Sequence, residues 1–164
     1  MRLFSASLAI ALMTGAIAPM ATRAHGDHGH GHGSSAGKTT MTSVGTKLAA
    51  ELQGKPVVVQ IKSRNCPMCR AMEPTLAAIK DSYRGRVTFV TLDVTDGAAI
   101  RGAERVATQA GLQDFFRANQ TRTGLLLAVN PASGMVWEQF RSGTPEAQIT
   151  AVLDRAIAEL AERK

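Results

Sequence analysis

Two cysteines standing three residues apart are the side chains of this 164-residue sequence best suited to chemistry. They bracket Cys66-Pro67-Met68-Cys69, and the chain has no others. A disulfide closing so small a ring would constrain the unfolded chain little. The pair is therefore poorly placed as a staple and well placed for redox exchange or metal binding. Exchange needs a thiolate nucleophile and a second thiol that resolves the mixed disulfide. Pro67 suits the first position of a helix. Cys66 would then sit where free amide groups and the helix dipole stabilise an anion. Such settings lower a cysteine pKa from about 8.5 into the range ~3.5–7.5. Cys66 is accordingly read as the attacking nucleophile and Cys69, one turn later, as the resolving thiol. Arg64 and Arg70 flank the pair. They either favour the thiolate or are ordinary surface charge, since exposed pairs contribute little.

The same residues permit a second chemistry. Cu(I) favours thiolate and thioether ligands, and Cys66 and Cys69 with Met68 or Met72 could supply them. All four histidines, His25, His28, His30 and His32, fall near the N-terminus in HGDHGHGH. Alternating His-Gly lets two or three imidazoles meet one Zn or Cu ion. The competing reading of this tail is a disordered leader with incidental metal affinity. Copper or zinc at the tail or the cysteine pair is thus one expectation. Thiol exchange itself requires no cofactor.

The segments around these residues say where they are displayed. Arg2, an uncharged apolar run from Leu3 to Ala18 and the small-residue site Thr22-Arg23-Ala24 read as a secretory signal cut after Ala24. Ala16-Ile17-Ala18 is a second site, disfavoured by Pro19. The run falls short of the ~20 apolar residues that a spanning helix needs. No stable membrane span is expected after cleavage, and the periplasm or an equivalent exported space is the expected location. Loss of Arg2 and Arg23 with the leader lowers the net charge from +6 to +4. The remaining basic residues are scattered without interleaved aromatics, which argues against nucleic-acid binding. The chain divides into a signal peptide at 1–24, a disordered His/Gly-rich segment at 25–40 and a folded domain at 41–164.

Within that domain a helix is expected from about Thr42 to Leu52. The β-branched run Val57 to Ile61 reads as an interior strand. A helix follows from Cys66 to about Tyr83, with Met72, Leu76 and Ile79 facing the sheet and Pro74 kinking it. A strand covers Val87 to Val94. Asp96 to Asn119 is helical with a break at Gly111, and Val106, Leu112, Phe115 and Phe116 are its expected core contacts. Gly124–Val129 and Met135–Phe140 form a hairpin. Thr144 caps a last helix, with Pro145 first and a stripe of Ile149, Val152, Leu153, Ile157 and Leu160. The result is an α/β fold, β-α-β-α-β-β-α, with a four-stranded mixed sheet flanked by helices.

This order, with CxxC at the first strand-to-helix junction, resembles the thioredoxin-like superfamily over about residues 55–162. PVVVQI before the motif, Arg70 after it, Pro74, SYRGRVTFVTLDV and TGLLLAVNPASGMVWEQFRSG carry the resemblance. It implies an exported thiol–disulfide oxidoreductase. Its substrates would be protein thiols and disulfides, with a further redox partner to recharge the pair. It implies substrate docking beside the cysteines, on Pro67, Met68, Arg122 and Thr123. Three positions depart from the family pattern. Asn65 stands where Trp is usual, Gln60 where a buried Asp is usual, and Thr123 where a cis-proline is usual. A non-proline cis bond costs about 3–4 kcal/mol, so a trans peptide is expected at Thr123. Gln60 cannot accept a proton as a carboxylate can, so resolution through Cys69 is expected to be slower than where the acid is present.

Overall fold

Val57 to Lys62 form β1, and five of its six residues are buried, as an interior strand requires. The structure, a computed structural model, describes residues 40–163. After β1 come α1 (Pro67–Ser82), β2 (Thr88–Asp93), α2 (Gly97–Ala110), α3 (Gln113–Asn119), β3 (Leu125–Val129), β4 (Val136–Phe140) and α4 (Glu146–Glu162). The sheet order is β2-β1-β3-β4. β1 runs parallel to β2 and antiparallel to β3, and β3 and β4 form an antiparallel hairpin. This is the four-stranded mixed sheet with helices on both faces that the sequence predicts.

Strand alternation sorts the core into two layers. Val57, Val59 and Ile61 of β1 join Val90, Leu92, Leu125, Leu127 and Val129 beneath α2 and α3. Val58, Leu126 and Ala128 point the other way, toward Met72, Leu76 and Ile79 of α1 and Ile149, Val152 and Leu153 of α4. The Tyr83 hydroxyl at the end of α1 donates to Asp154 of α4 at 2.9 Å, fixing these two helices together. Phe115 and Phe116 pack in the core as expected, and Phe89 and Trp137 pack against the opposite layer.

Three expectations are corrected. Residues 42–49 are not a helix; only a short 3-10 turn, Ala50–Leu52, forms. The segment is rich in Thr, Ser and Gly, weak helix formers, and its backbone has a better partner. Val44 N–H donates to Gly134 C=O at 2.8 Å, and Val136 N–H donates to Thr42 C=O at 2.9 Å. Val106 is 39% exposed, because α2 turns Ala103, Ala107 and Ala110 inward instead. Thr144 does not cap α4. Pro145 is the capping residue, and the Thr144 hydroxyl instead accepts the Arg141 N–H at 3.0 Å. The break at Gly111 is real: its φ of +73° ends α2 in the left-handed region. Pro74 lies inside α1, and the helix continues through it.

Candidate active site

The site forms where β1 ends, α1 begins and β3 begins. Ser63 C=O accepts the Cys66 N–H at 3.1 Å, turning the chain from β1 into the helix. Arg64 N–H donates to the Thr95 hydroxyl at 3.0 Å, which ties this turn to the end of β2. Cys66 is the capping residue of α1 and Pro67 its first residue. The Cys66 sulfur accepts the Cys69 N–H at 3.2 Å. The first turn contains no acidic side chain to compete for these amides. Cys66 is 6% exposed and Cys69 2%, and both are free thiols.

The two sulfurs are driven apart in acidity. Burial opposes the Cys66 anion, but donation from the Cys69 thiol and amide, the Thr123 hydroxyl and the Met68 amide overcomes it and holds Cys66 below its ordinary value. Burial raises Cys69, and the hydrogen bond it gives Cys66 raises it further. Such a division, one sulfur more readily ionised than its neighbour, is the arrangement stepwise exchange needs. In the reduced protein, alkylation of Cys66 by iodoacetamide is therefore expected to fall off at a pH below the ordinary thiol midpoint of about 8.5. Thr123→Val removes one donor and should move that midpoint upward. A wild-type midpoint at or above the ordinary value would contradict the assignment.

Arg64 and Arg70 act elsewhere. Arg64 pairs with Asp96 at 3.2 Å, and Arg70 donates to the Arg64 carbonyl at 2.9 Å. They lace the turn before α1 to the start of α2, and neither is among the main causes of the Cys66 shift.

Of the residues expected to meet substrate, Met68, Arg122 and Thr123 converge, and Pro67 does not join them. The three line a groove of about 320 Å³ with Gly124, Leu125, Gln139, Phe140, Arg141 and Ser142. Met68 is 52% exposed. No cis peptide bond occurs among the described residues, so Thr123 follows a trans peptide, as expected.

Sequence reasoning missed Gly124. Its N–H donates to Ile61 C=O at 2.9 Å, drawing the head of β3 against the end of β1. Its φ is +84°, and a Cβ there would lie 3.4 Å from Met68 Cε and 3.7 Å from Cys66 Sγ. Glycine at this position is what lets Thr123 stand beside the nucleophile. The only available signal was a Gly directly before an apolar strand.

Gln60 is 6% exposed and faces α1, in the position expected for it. It borders a recess shared with Lys62, Glu73, Leu76, Ala77, Lys80 and Thr91. Glu73 is the one carboxylate on that lining. The donors proposed for copper also separate. Met68 lies beside Cys66 and Gly124, whereas Met72 is 5% exposed and packed in the α1–α4 core. Among the described residues no group of three or more His, Cys, Asp or Glu could hold a metal ion. His25, His28, His30 and His32 lie outside the described residues. No helix among the described residues is long and apolar enough to cross a membrane.

A CxxC pair at the head of a helix, against a mixed β2-β1-β3-β4 sheet, defines a thioredoxin-like thiol site. The Thioredoxin family model matches residues 39–121, just over half of the chain, and the chain belongs to that family. It is 29% identical over 86 residues to a thiol:disulfide interchange protein TxlA homolog of Synechocystis, covering 52% of this chain and 47% of that protein. The chain thus spans about half the length of the curated relative it matches. Among solved structures it is similar to a secreted Mycobacterium tuberculosis disulfide oxidoreductase homologous to E. coli DsbE. That match has a TM-score of 0.46 and 17% identity, over 71% of this chain and 95% of that one. A thioredoxin family thiol:disulfide interchange protein from Chlorobium tepidum has a TM-score of 0.46 and 20% identity, over 73% and 92%.

Proposed function

We propose that this protein is an exported thiol–disulfide oxidoreductase that exchanges a Cys66/Cys69 dithiol or disulfide with protein substrates. One observation carries the reading. The Cys66 sulfur is held by the amide of Cys69 at the open end of α1, with a protonated partner thiol one turn behind it. The Cys66 thiolate attacks a client disulfide, forming a mixed disulfide and releasing one client thiolate, which takes a proton. Cys69 then loses its proton and attacks the Cys66 sulfur. The second client thiol leaves, and Cys66 and Cys69 are joined as the client gains two electrons. No cofactor enters. Export is supported by the charged, apolar and small-residue regions of residues 1–24. Residues 25–40 then form the tail of the mature protein, ahead of the domain at 41–164.

Equilibration in graded dithiothreitol redox buffers, read as alkylation mass, is expected to show one two-electron transition of the pair. A pair that stays reduced throughout would defeat the proposal. The second reading is copper or zinc binding and delivery. It is favoured by the closeness of Met68 to Cys66 and by the four histidines of the tail. Its donors at the folded site are Cys66, Cys69 and Met68. Titrating Cu(I) and Zn(II) into the same reduced protein separates the two, since tight stoichiometric uptake at the cysteines would favour delivery.

A further inference from the structure

The groove beside Cys66 carries charge that nothing in it offsets. Arg122 and Arg141 both line it, and no carboxylate does. Among the described residues neither arginine makes an ion pair with an acidic side chain. Arg122 is fixed by a neutral side chain, and Arg141 is anchored through its backbone. Arg122 Nη1 donates to Asn119 Oδ1 at 3.1 Å, and Asn119, itself buried, donates onward to Phe115 C=O at 2.8 Å. The Arg141 backbone is clasped by Thr144, its N–H donating to the Thr144 hydroxyl and its C=O accepting the Thr144 N–H, each at 3.0 Å. The same groove is lined by apolar Met68, Leu125 and Phe140, with Thr123, Gln139 and Ser142 beside them.

Two guanidinium groups without an acidic partner, in one groove with apolar lining residues, present a site that attracts carboxylates. The apolar lining would take an aliphatic side chain, and Met68, being unbranched and polarisable, adapts to its shape. We infer that this groove selects polypeptide disulfides whose cysteine is flanked by Asp or Glu, and disfavours those flanked by Lys or Arg. The inference rests on the exchange reading above and adds to it a substrate class.

The full chain in its reduced form is tested on three peptide disulfides that differ only in the residues flanking the cysteine: Glu, Gln or Lys. Uncharged 2-hydroxyethyl disulfide serves as a fourth substrate. At low salt the Glu peptide is expected to react roughly tenfold faster than the Lys peptide, with Gln between them, since each partly exposed charge contact is modest and the two add. The preference should shrink toward 1 M salt, where the screening length contracts to about 3 Å. In Arg122→Gln/Arg141→Gln the Glu-to-Lys ratio should collapse toward one, and in Arg122→Lys/Arg141→Lys much of it should return. The ratio is read rather than the absolute rate, because removing positive charge near a thiolate slows every substrate. Equal rates for the Glu and Lys peptides in the wild type would overturn the selectivity while leaving exchange intact. Failure to reduce any of the four, 2-hydroxyethyl disulfide included, would instead overturn the oxidoreductase reading itself. Oxidised glutathione has carboxylates but no flanking polypeptide. A rate matching the Glu peptide would assign the groove to a small acidic thiol and overturn its assignment to polypeptides.

Discussion

Cys66→Ser is expected to reduce exchange with any disulfide by at least about a thousandfold, because a serine hydroxyl stays protonated where a thiol ionises and is a far weaker nucleophile toward sulfur. The companion substitution separates the two roles. Cys69→Ser keeps the nucleophile but removes the sulfur that attacks the Cys66–client bond. Its first step should proceed and its second should stop, leaving the client joined to Cys66 as a species visible by mass and by non-reducing electrophoresis. The asymmetry follows from burial and donation: Cys66 accepts the helix amide, whereas Cys69 is the more enclosed sulfur and is held protonated. If Cys69→Ser turned over like the wild type, or if client accumulated on residue 69 in Cys66→Ser, the assignment of roles would be wrong. Recovery of the trapped client would also name a physiological partner.

Gly134→Ala is expected to cost about 2–5 kcal/mol, the sum of a left-handed backbone penalty of ~1–2 kcal/mol and an overlap of ~1–3 kcal/mol. Gly134 sits in the β3–β4 loop with φ +71°, and a Cβ there would overlap the Thr46 carbonyl. The loop is also the anchor for the chain before β1. Gly134 C=O accepts Val44 N–H and the Ser43 hydroxyl, and Pro131 C=O accepts Leu48 N–H and the Gln53 side chain. That strap brings Val44 and Leu48 onto the core under α2 and α3. Asn tolerates the left-handed region better than Ala but carries the same Cβ. Gly134→Asn should therefore recover only the backbone share of the loss. Urea unfolding of the three proteins gives the comparison, and an unchanged midpoint for Gly134→Ala would show that the strap yields freely.

Much of the fold was legible because its signals are local or periodic. The run Val57 to Ile61, β-branched at every position but Gln60, is satisfied inside a sheet. Cys66-Pro67 marks a helix start through the constraint proline places on its own φ. The turn from Asn130 to Gly134 declares a hairpin between two apolar runs. The misread elements share a different cause. Thr42 to Ala49 has no strong preference of its own, and its backbone is claimed by the hairpin loop about 90 residues later. Val106 fits a helical stripe in composition, but α2 approaches β2 closely enough that alanines take the buried face.

At the site the division follows the same line. The sequence by itself determined the two sulfurs, their spacing and the helix end that holds them, since these depend on neighbours within a few residues. The expectation that Pro67, Met68, Arg122 and Thr123 meet substrate comes from a resemblance rather than from any local force. Only the tertiary structure decided that Gly124 brings Thr123 to Cys66, that Arg141 and Arg122 line one groove, and that Arg64 and Arg70 pair elsewhere. Each of these depends on how β1, β3 and β4 register against one another. That register is set by burial summed over the whole sheet, not by the residues it brings together.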